Sequence, residues 1–142
     1  MFQDSAIDQA TIRAYLETDY VVRAEPPVIL RVGESSPGLS AIHRAHRVDC
    51  SVFITACNPY SQSLQEQEND RRHELLMQEL KLRSLASLQG LGSHPDNGWP
   101  PEVSCLVLGL NLEASKNLAA RFEQNAVVWS AADAVPQLIL LK

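Results

Sequence analysis

Cysteine is scarce in this sequence, basic charge is in deficit, and no long apolar run occurs. The 142 residues include three cysteines, Cys50, Cys57 and Cys105, an odd number without the spacing of a disulfide framework. They read as reduced, buried thiols, and only Cys57, beside a turn, stands where reactivity is worth watching. Twelve Lys and Arg oppose 17 Asp and Glu, for a net charge of −5. The basic surface that neutralises phosphates is therefore missing, and nucleic acid is not an expected partner. Nothing approaches the roughly 18 apolar residues of a membrane span, so no membrane association is expected. The start, MFQDSAIDQATIRAYLETDY, lacks the basic and apolar regions of a signal peptide. A cytoplasmic protein is the expectation. Phosphate loop, dinucleotide fingerprint, nucleophile elbow and zincin motif are all absent, and neither cofactor nor metal is predicted.

What is present fits one domain spanning residues 1–142, with 45% hydrophobic and 20% charged residues. Periodicity predicts an amphipathic helix over 6–17, capped by Asp4 or Ser5. Short strands follow at 20–22 and 28–32, broken by Pro26-Pro27 and suited to a hairpin or sheet edge. A short helix runs from Leu39 to about His46. Ser51 to Cys57 is almost continuously apolar or β-branched, as in a central strand buried on both faces. After the Asn58-Pro59-Tyr60-Ser61 break, Ser63-Leu64-Gln65-Glu66 has the form of a capping box, opening a helix that runs to Leu88 and stops at Gln89-Gly90-Leu91-Gly92. Residues 92–101 form a loop by composition, 103–110 a strand, Asn111 caps another helix, and strands follow at 126–129 and 137–141. The fold class is α+β (α/β-like), a single domain with a mixed sheet of about five to six strands flanked by about three to four helices.

The turn after the Ser51–Cys57 strand is the first candidate site, because strand-to-helix turns present free N–H groups and a helix dipole to a ligand. Thr55, Asn58 and Ser61 supply its polar side chains. On the following helix, Asn69 and Arg72 continue the stripe of leucines, where they can meet a phosphate, a carboxylate or a backbone. Glu102 precedes a strand in which Ser104 shares its face, and Gln124-Asn125 precedes the next strand. A parallel crossover between these two strands puts Glu102 and Gln124 at one end of the sheet. Asn58 reaches that end only if its own strand runs antiparallel to 103–110. His43 and His46, three apart without a third ligand, read as solvated helix surface rather than a metal site.

These residues together resemble a known pattern. Phe53-Ile54-Thr55-Ala56-x-Asn58-Pro59-x-Ser61, Asn69-x-x-Arg72-x-x-Leu75, Trp99-x-x-Glu102-x-Ser104 and Phe122-x-Gln124-Asn125-Ala126-Val127-Val128-Trp129 resemble the bacterial family catalogued as domain of unknown function 3293. The resemblance runs from about Tyr20 to the C-terminus. It implies that the polar positions form one recurring signature, and it brings no activity with it. Cys57 stands where the pattern more often has an aromatic residue, which argues against a nucleophilic thiol.

The favoured function is a small-ligand-binding or interaction module with a polar site. A nucleotide or other anionic metabolite is the suggested ligand, with Arg72 as its anchor and Thr55, Asn58, Ser61, Asn69, Ser104, Gln124 and Asn125 around it. One alternative is an enzyme acting on a phosphorylated or nucleotide-like substrate, with Glu102 as acid or base. The other is a structural polar network in a protein whose partner is another protein.

Overall fold

Period-two alternation sends neighbouring side chains of a strand to opposite faces, and here both faces are covered. The computed structural model describes residues 5–142. In chain order it contains α1 (Gln9–Glu17), β1 (Asp19–Val22), β2 (Val28–Leu30), α2 (Pro37–Ala45), β3 (Ser51–Ile54), a 3-10 turn (Pro59–Ser61), α3 (Glu66–Leu82), β4 (Ser87–Ser93), β5 (Glu102–Leu108), α4 (Leu112–Arg121), β6 (Ala126–Ser130) and β7 (Gln137–Leu140). One sheet has the order β2-β1-β4-β5-β3-β6-β7, and every neighbouring pair is antiparallel.

Phe53, Leu106, Leu108 and Val128 face one side of the sheet, where they pack with Ile12 of α1 and Leu39 and Ile42 of α2. Val52, Ile54, Cys105, Val107 and Val127 face the other, against Leu76 and Leu80 of α3 and Leu118 and Ala119 of α4. All four residues of β3 are buried, as its unbroken apolar run requires. It lies one place from the middle of the sheet, a position held by β5.

The α+β class and single domain are as expected, with seven strands rather than five or six and with neighbouring strands all antiparallel rather than mixed. The additional strand is β4, which the sequence pattern hides because Leu85, just before it, and Leu88, within it, carry on the helical spacing of α3. The helix in fact stops at Leu82, and Ser84 adopts a left-handed φ of 55°. Gln89-Gly90-Leu91-Gly92 is therefore sheet and not a helix stop. Gly90 has a specific cause. A Cβ there would stand 2.7 Å from the Phe53 ring and 2.9 Å from the Val21 carbonyl, distances that no side chain tolerates without displacement.

Two caps differ from expectation. Helix α3 begins three residues after Ser63, with Gln65 at its N-cap and no side-chain cap. Asp8 stands at the N-cap of α1; Ser5 instead accepts from the Ile7 N–H at 3.1 Å and donates to the Lys142 carbonyl at 2.6 Å, and Asp4 lies outside the described residues. The expected Asn111 cap is present, its Oδ1 accepting from Ala114 N at 2.8 Å. His43 is buried rather than solvated and shares a 2.8 Å hydrogen bond with Ser51 Oγ.

No helix among the described residues is long and apolar enough to cross a membrane.

Candidate functional site

The site follows from strand direction. Because β3 runs antiparallel to both β5 and β6, its exit lies beside the entrances of those two strands. The Asn58 turn, Glu102 and Gln124 thereby meet at one end of the sheet, although they come from distant parts of the chain. Helix α1 covers the same end on the Phe53 face. Between them is a cavity of about 280 Å³, near the lower end of the roughly 300–1,000 Å³ usual for small-molecule sites.

Its polar end is built on Asn58. The Asn58 amide nitrogen donates to Glu102 Oε2 at 2.6 Å, and the amide oxygen accepts from Leu64 N and Asn69 Nδ2, both at 2.9 Å. Asn69 Oδ1 in turn accepts the Asn58 backbone N–H at 2.9 Å. This pairing fixes both amides in one orientation. Asn58, Tyr60 and Ser61 have φ of 49°, 52° and 61°, a left-handed conformation that costs a non-glycine residue of order 1–3 kcal/mol. The turn is held in it from several sides. Tyr60 N donates to the Glu123 carbonyl at 2.7 Å, while Ser61 Oγ bonds the Tyr15 hydroxyl at 2.7 Å and accepts from Asn125 Nδ2 at 3.0 Å.

Glu102 carries the one carboxylate among the described lining residues. Oε2 accepts from Asn58 and from the Trp99 indole N–H at 3.3 Å, whereas Oε1 takes no hydrogen bond from any described residue. Burial pushes its pKa above the ordinary value, with the Asn58 and Trp99 bonds acting in opposition. Gln124 offers a second free acceptor. Its Nε2 donates to the Cys57 and Phe122 carbonyls at 3.0 and 3.1 Å, which leaves its Oε1 without a donor among the described residues.

Of the residues expected from sequence, Thr55, Asn58, Ser61, Glu102, Ser104 and Gln124 line the cavity. Thr55 Oγ1 and Ser104 Oγ are engaged locally, donating to the Val103 and Glu102 carbonyls at 2.8 and 2.9 Å. Asn69, Arg72 and Asn125 stand behind the lining. Arg72, expected as an anion anchor, donates to the Ala56 and Phe122 carbonyls, both at 2.6 Å, and pairs with Glu123 at 3.4 Å. It ties the end of β3 to the end of α4. Cys57 is buried, and burial raises its thiol pKa, the opposite of what a nucleophilic thiol needs.

Sequence reasoning missed the cover. Ala10, Thr11, Ala14 and Tyr15 come from α1, Tyr20 from β1 and Leu138 from β7, while His94, Asn97 and Trp99 come from the loop after β4. His94 Nδ1 accepts from the backbone N–H of Asp96 and Asn97, each at 3.0 Å, and Asn97 Oδ1 accepts from Trp99 N at 2.9 Å. The loop thus has its own internal scaffold. The amphipathic pattern of α1 marked a buried face without saying which end of the sheet it would cover.

Fold and site together define an α+β domain with an antiparallel sheet, helices on both faces and a preformed cavity at the β3 exit. The chain belongs to the family described as protein of unknown function (DUF3293), whose profile matches residues 54–127, more than half its length. Thr55, Asn58, Ser61, Trp99, Glu102, Ser104 and Gln124 fall inside that segment, whereas Tyr15, Tyr20, Phe53 and Leu138 lie outside it. No curated protein and no solved structure matches the chain.

Proposed function

We propose that this domain binds a compact small molecule in the cavity between α1 and the exit of β3. One observation carries the reading: a scaffolded cavity whose polar end keeps two hydrogen-bond acceptors, Glu102 Oε1 and Gln124 Oε1, unpaired among the described residues. Neither oxygen is sealed off from solvent, so a ligand with donor groups can reach and satisfy them. The strained turn at Asn58–Ser61, three positive-φ residues within four positions, supports the same place, since such conformations cluster at functional sites. The anionic metabolite or nucleotide suggested by Arg72 is less well supported, because no Lys or Arg is among the described lining residues. Turnover of a phosphorylated substrate, with Glu102 as acid or base, loses support for the same reason. A cytoplasmic setting is supported by three buried cysteines without disulfides.

A thermal-shift screen of metabolites against the parent and Gly92→Val tests this reading. A Cβ at Gly92 would meet Ser104 Oγ at 3.9 Å and Tyr20 Cδ1 at 4.0 Å, ordinary contacts, and the methyl groups of valine add bulk beside these two lining residues. Compounds that stabilise the parent are expected to leave the folded variant unaffected. An equal response in Gly92→Val rules the cavity out.

A further inference from the structure

The geometry points to a small organic cation, an alkylammonium with its charge beside Glu102, as the occupant of this cavity. The inference rests on the proposed binding function and narrows it to one ligand chemistry. Three features of the lining converge on it.

The first is uncompensated negative charge. Glu102 receives only neutral donors, Asn58 and Trp99, and both act on Oε2. The described lining contains no Lys or Arg. His94 is no substitute, because its Nδ1 is engaged by two backbone N–H groups. Its Nε2 is directed to Glu17 at 3.4 Å. A cation in the cavity gives the carboxylate the partner that a partly buried charge otherwise lacks.

The second is the balance of donors and acceptors. Asn58 and Trp99 donate to Glu102, Gln124 Nε2 donates to two carbonyls, and the Tyr15 hydroxyl is paired with Ser61. At Glu102 and Gln124 the unpaired capacity is on acceptor oxygens, while Asn97 Nδ2 and Thr11 Oγ1 are lining donors without a partner among the described residues. An anion placed beside Glu102 meets repulsion there.

The third is aromatic content. The chain has eight aromatic residues, three Phe, two Trp and three Tyr, and four of them, Tyr15, Tyr20, Phe53 and Trp99, line this cavity. Aromatic walls attract alkylammonium groups through the ring quadrupole and accept their methyl groups without hydrogen bonds. A carboxylate among aromatic rings is thus matched to a positive charge carrying apolar surface.

The test is isothermal titration of choline against its uncharged carbon isostere, 3,3-dimethylbutan-1-ol, and against inorganic phosphate. It uses the parent, Glu102→Gln, Trp99→Leu and Gly92→Val, each first checked for folding by circular dichroism. Choline is expected to bind the parent at least about tenfold more tightly than the isostere, the factor that a desolvated cation contact supplies. Glu102→Gln is expected to remove that preference, Trp99→Leu to weaken choline several-fold, and phosphate to be inert. Equal affinity of choline and the isostere, both lost in Gly92→Val, overturns the cation while leaving the cavity as a binding site. Choline binding that survives Gly92→Val overturns both. Absence of choline binding at millimolar concentration overturns the inference, and a phosphate response lost in Glu102→Gln or Gly92→Val does so as well.

Discussion

Asn58 and Glu102, 44 positions apart, are joined by a 2.6 Å hydrogen bond that spans the exit of β3 and the entrance of β5. The same Asn58 side chain accepts from Leu64 and Asn69, so one residue fastens the turn, the start of α3 and the carboxylate. Its removal leaves donors and acceptors unpaired in a half-buried setting. Asn58→Ala is expected to lower stability by roughly 2–4 kcal/mol in urea unfolding. Asn58→Asp sets a second carboxylate against Glu102 and should be the worse of the two at neutral pH, recovering as acid removes one charge. An Asn58→Ala protein as stable as the parent would contradict this account of the turn.

Glu102 makes stability depend on pH with a defined sign. Its folded pKa lies above the ordinary 4.5 because burial disfavours the ionised form. The contribution of the neutral carboxyl is therefore complete below the unfolded value and is lost as pH rises through the folded one. Glu102→Gln has no such loss. The variant's thermal stability relative to the parent should be greater at about pH 7 than at about pH 4. A difference independent of pH would show that the carboxyl is not perturbed.

Arg72 is expected to matter for stability and little for ligand affinity. Arg72→Ala leaves the Ala56 carbonyl without its side-chain donor and removes the link to Phe122, at a cost of about 2–3 kcal/mol. Arg72→Lys, without the planar fork, should recover only part of this. Denaturant unfolding checks the first statement and titration with any bound compound the second.

The two glycines of β4 should separate packing from cavity volume. Gly90→Ala meets the Phe53 ring and the Val21 carbonyl and is expected to cost about 1–3 kcal/mol. Gly92→Ala has ordinary contact distances, and its stability should stay within about 0.5 kcal/mol of the parent. Equal effects at the two positions would show that the surroundings of the strand do not distinguish them.

Much of the site was legible because its polar residues sit at strand ends. Strand β3 announced itself by continuous apolar residues, Asn58-Pro59 marked its exit, and Glu102 and Gln124 marked two entrances. Whether they meet depends on strand direction, which a local pattern does not encode. The antiparallel order supplies it, with β5 and β6 on either side of β3. Arg72 belongs to α3, but its carbonyl partners, Ala56 and Phe122, lie at the ends of other elements brought there by the fold. Tyr15 and Tyr20 gave no signal beyond amphipathic or β-branched surroundings. Strand β4 was hidden because leucine spacing continued past the helix end; its sheet character comes from pairing with β1 and β5 rather than from its own propensity.

The cavity draws its walls from α1 near the start of the described chain and from Leu138 near its end, with strand ends from the middle between them. Loop closure over such separations is completed only when the whole sheet is assembled. Occupancy and global folding are consequently linked equilibria: a ligand held here resists unfolding of the entire domain, by an amount that grows with the logarithm of its concentration above Kd. Protection from proteolysis would extend to segments that never touch the ligand, and neither half of the chain would retain a residual affinity of its own.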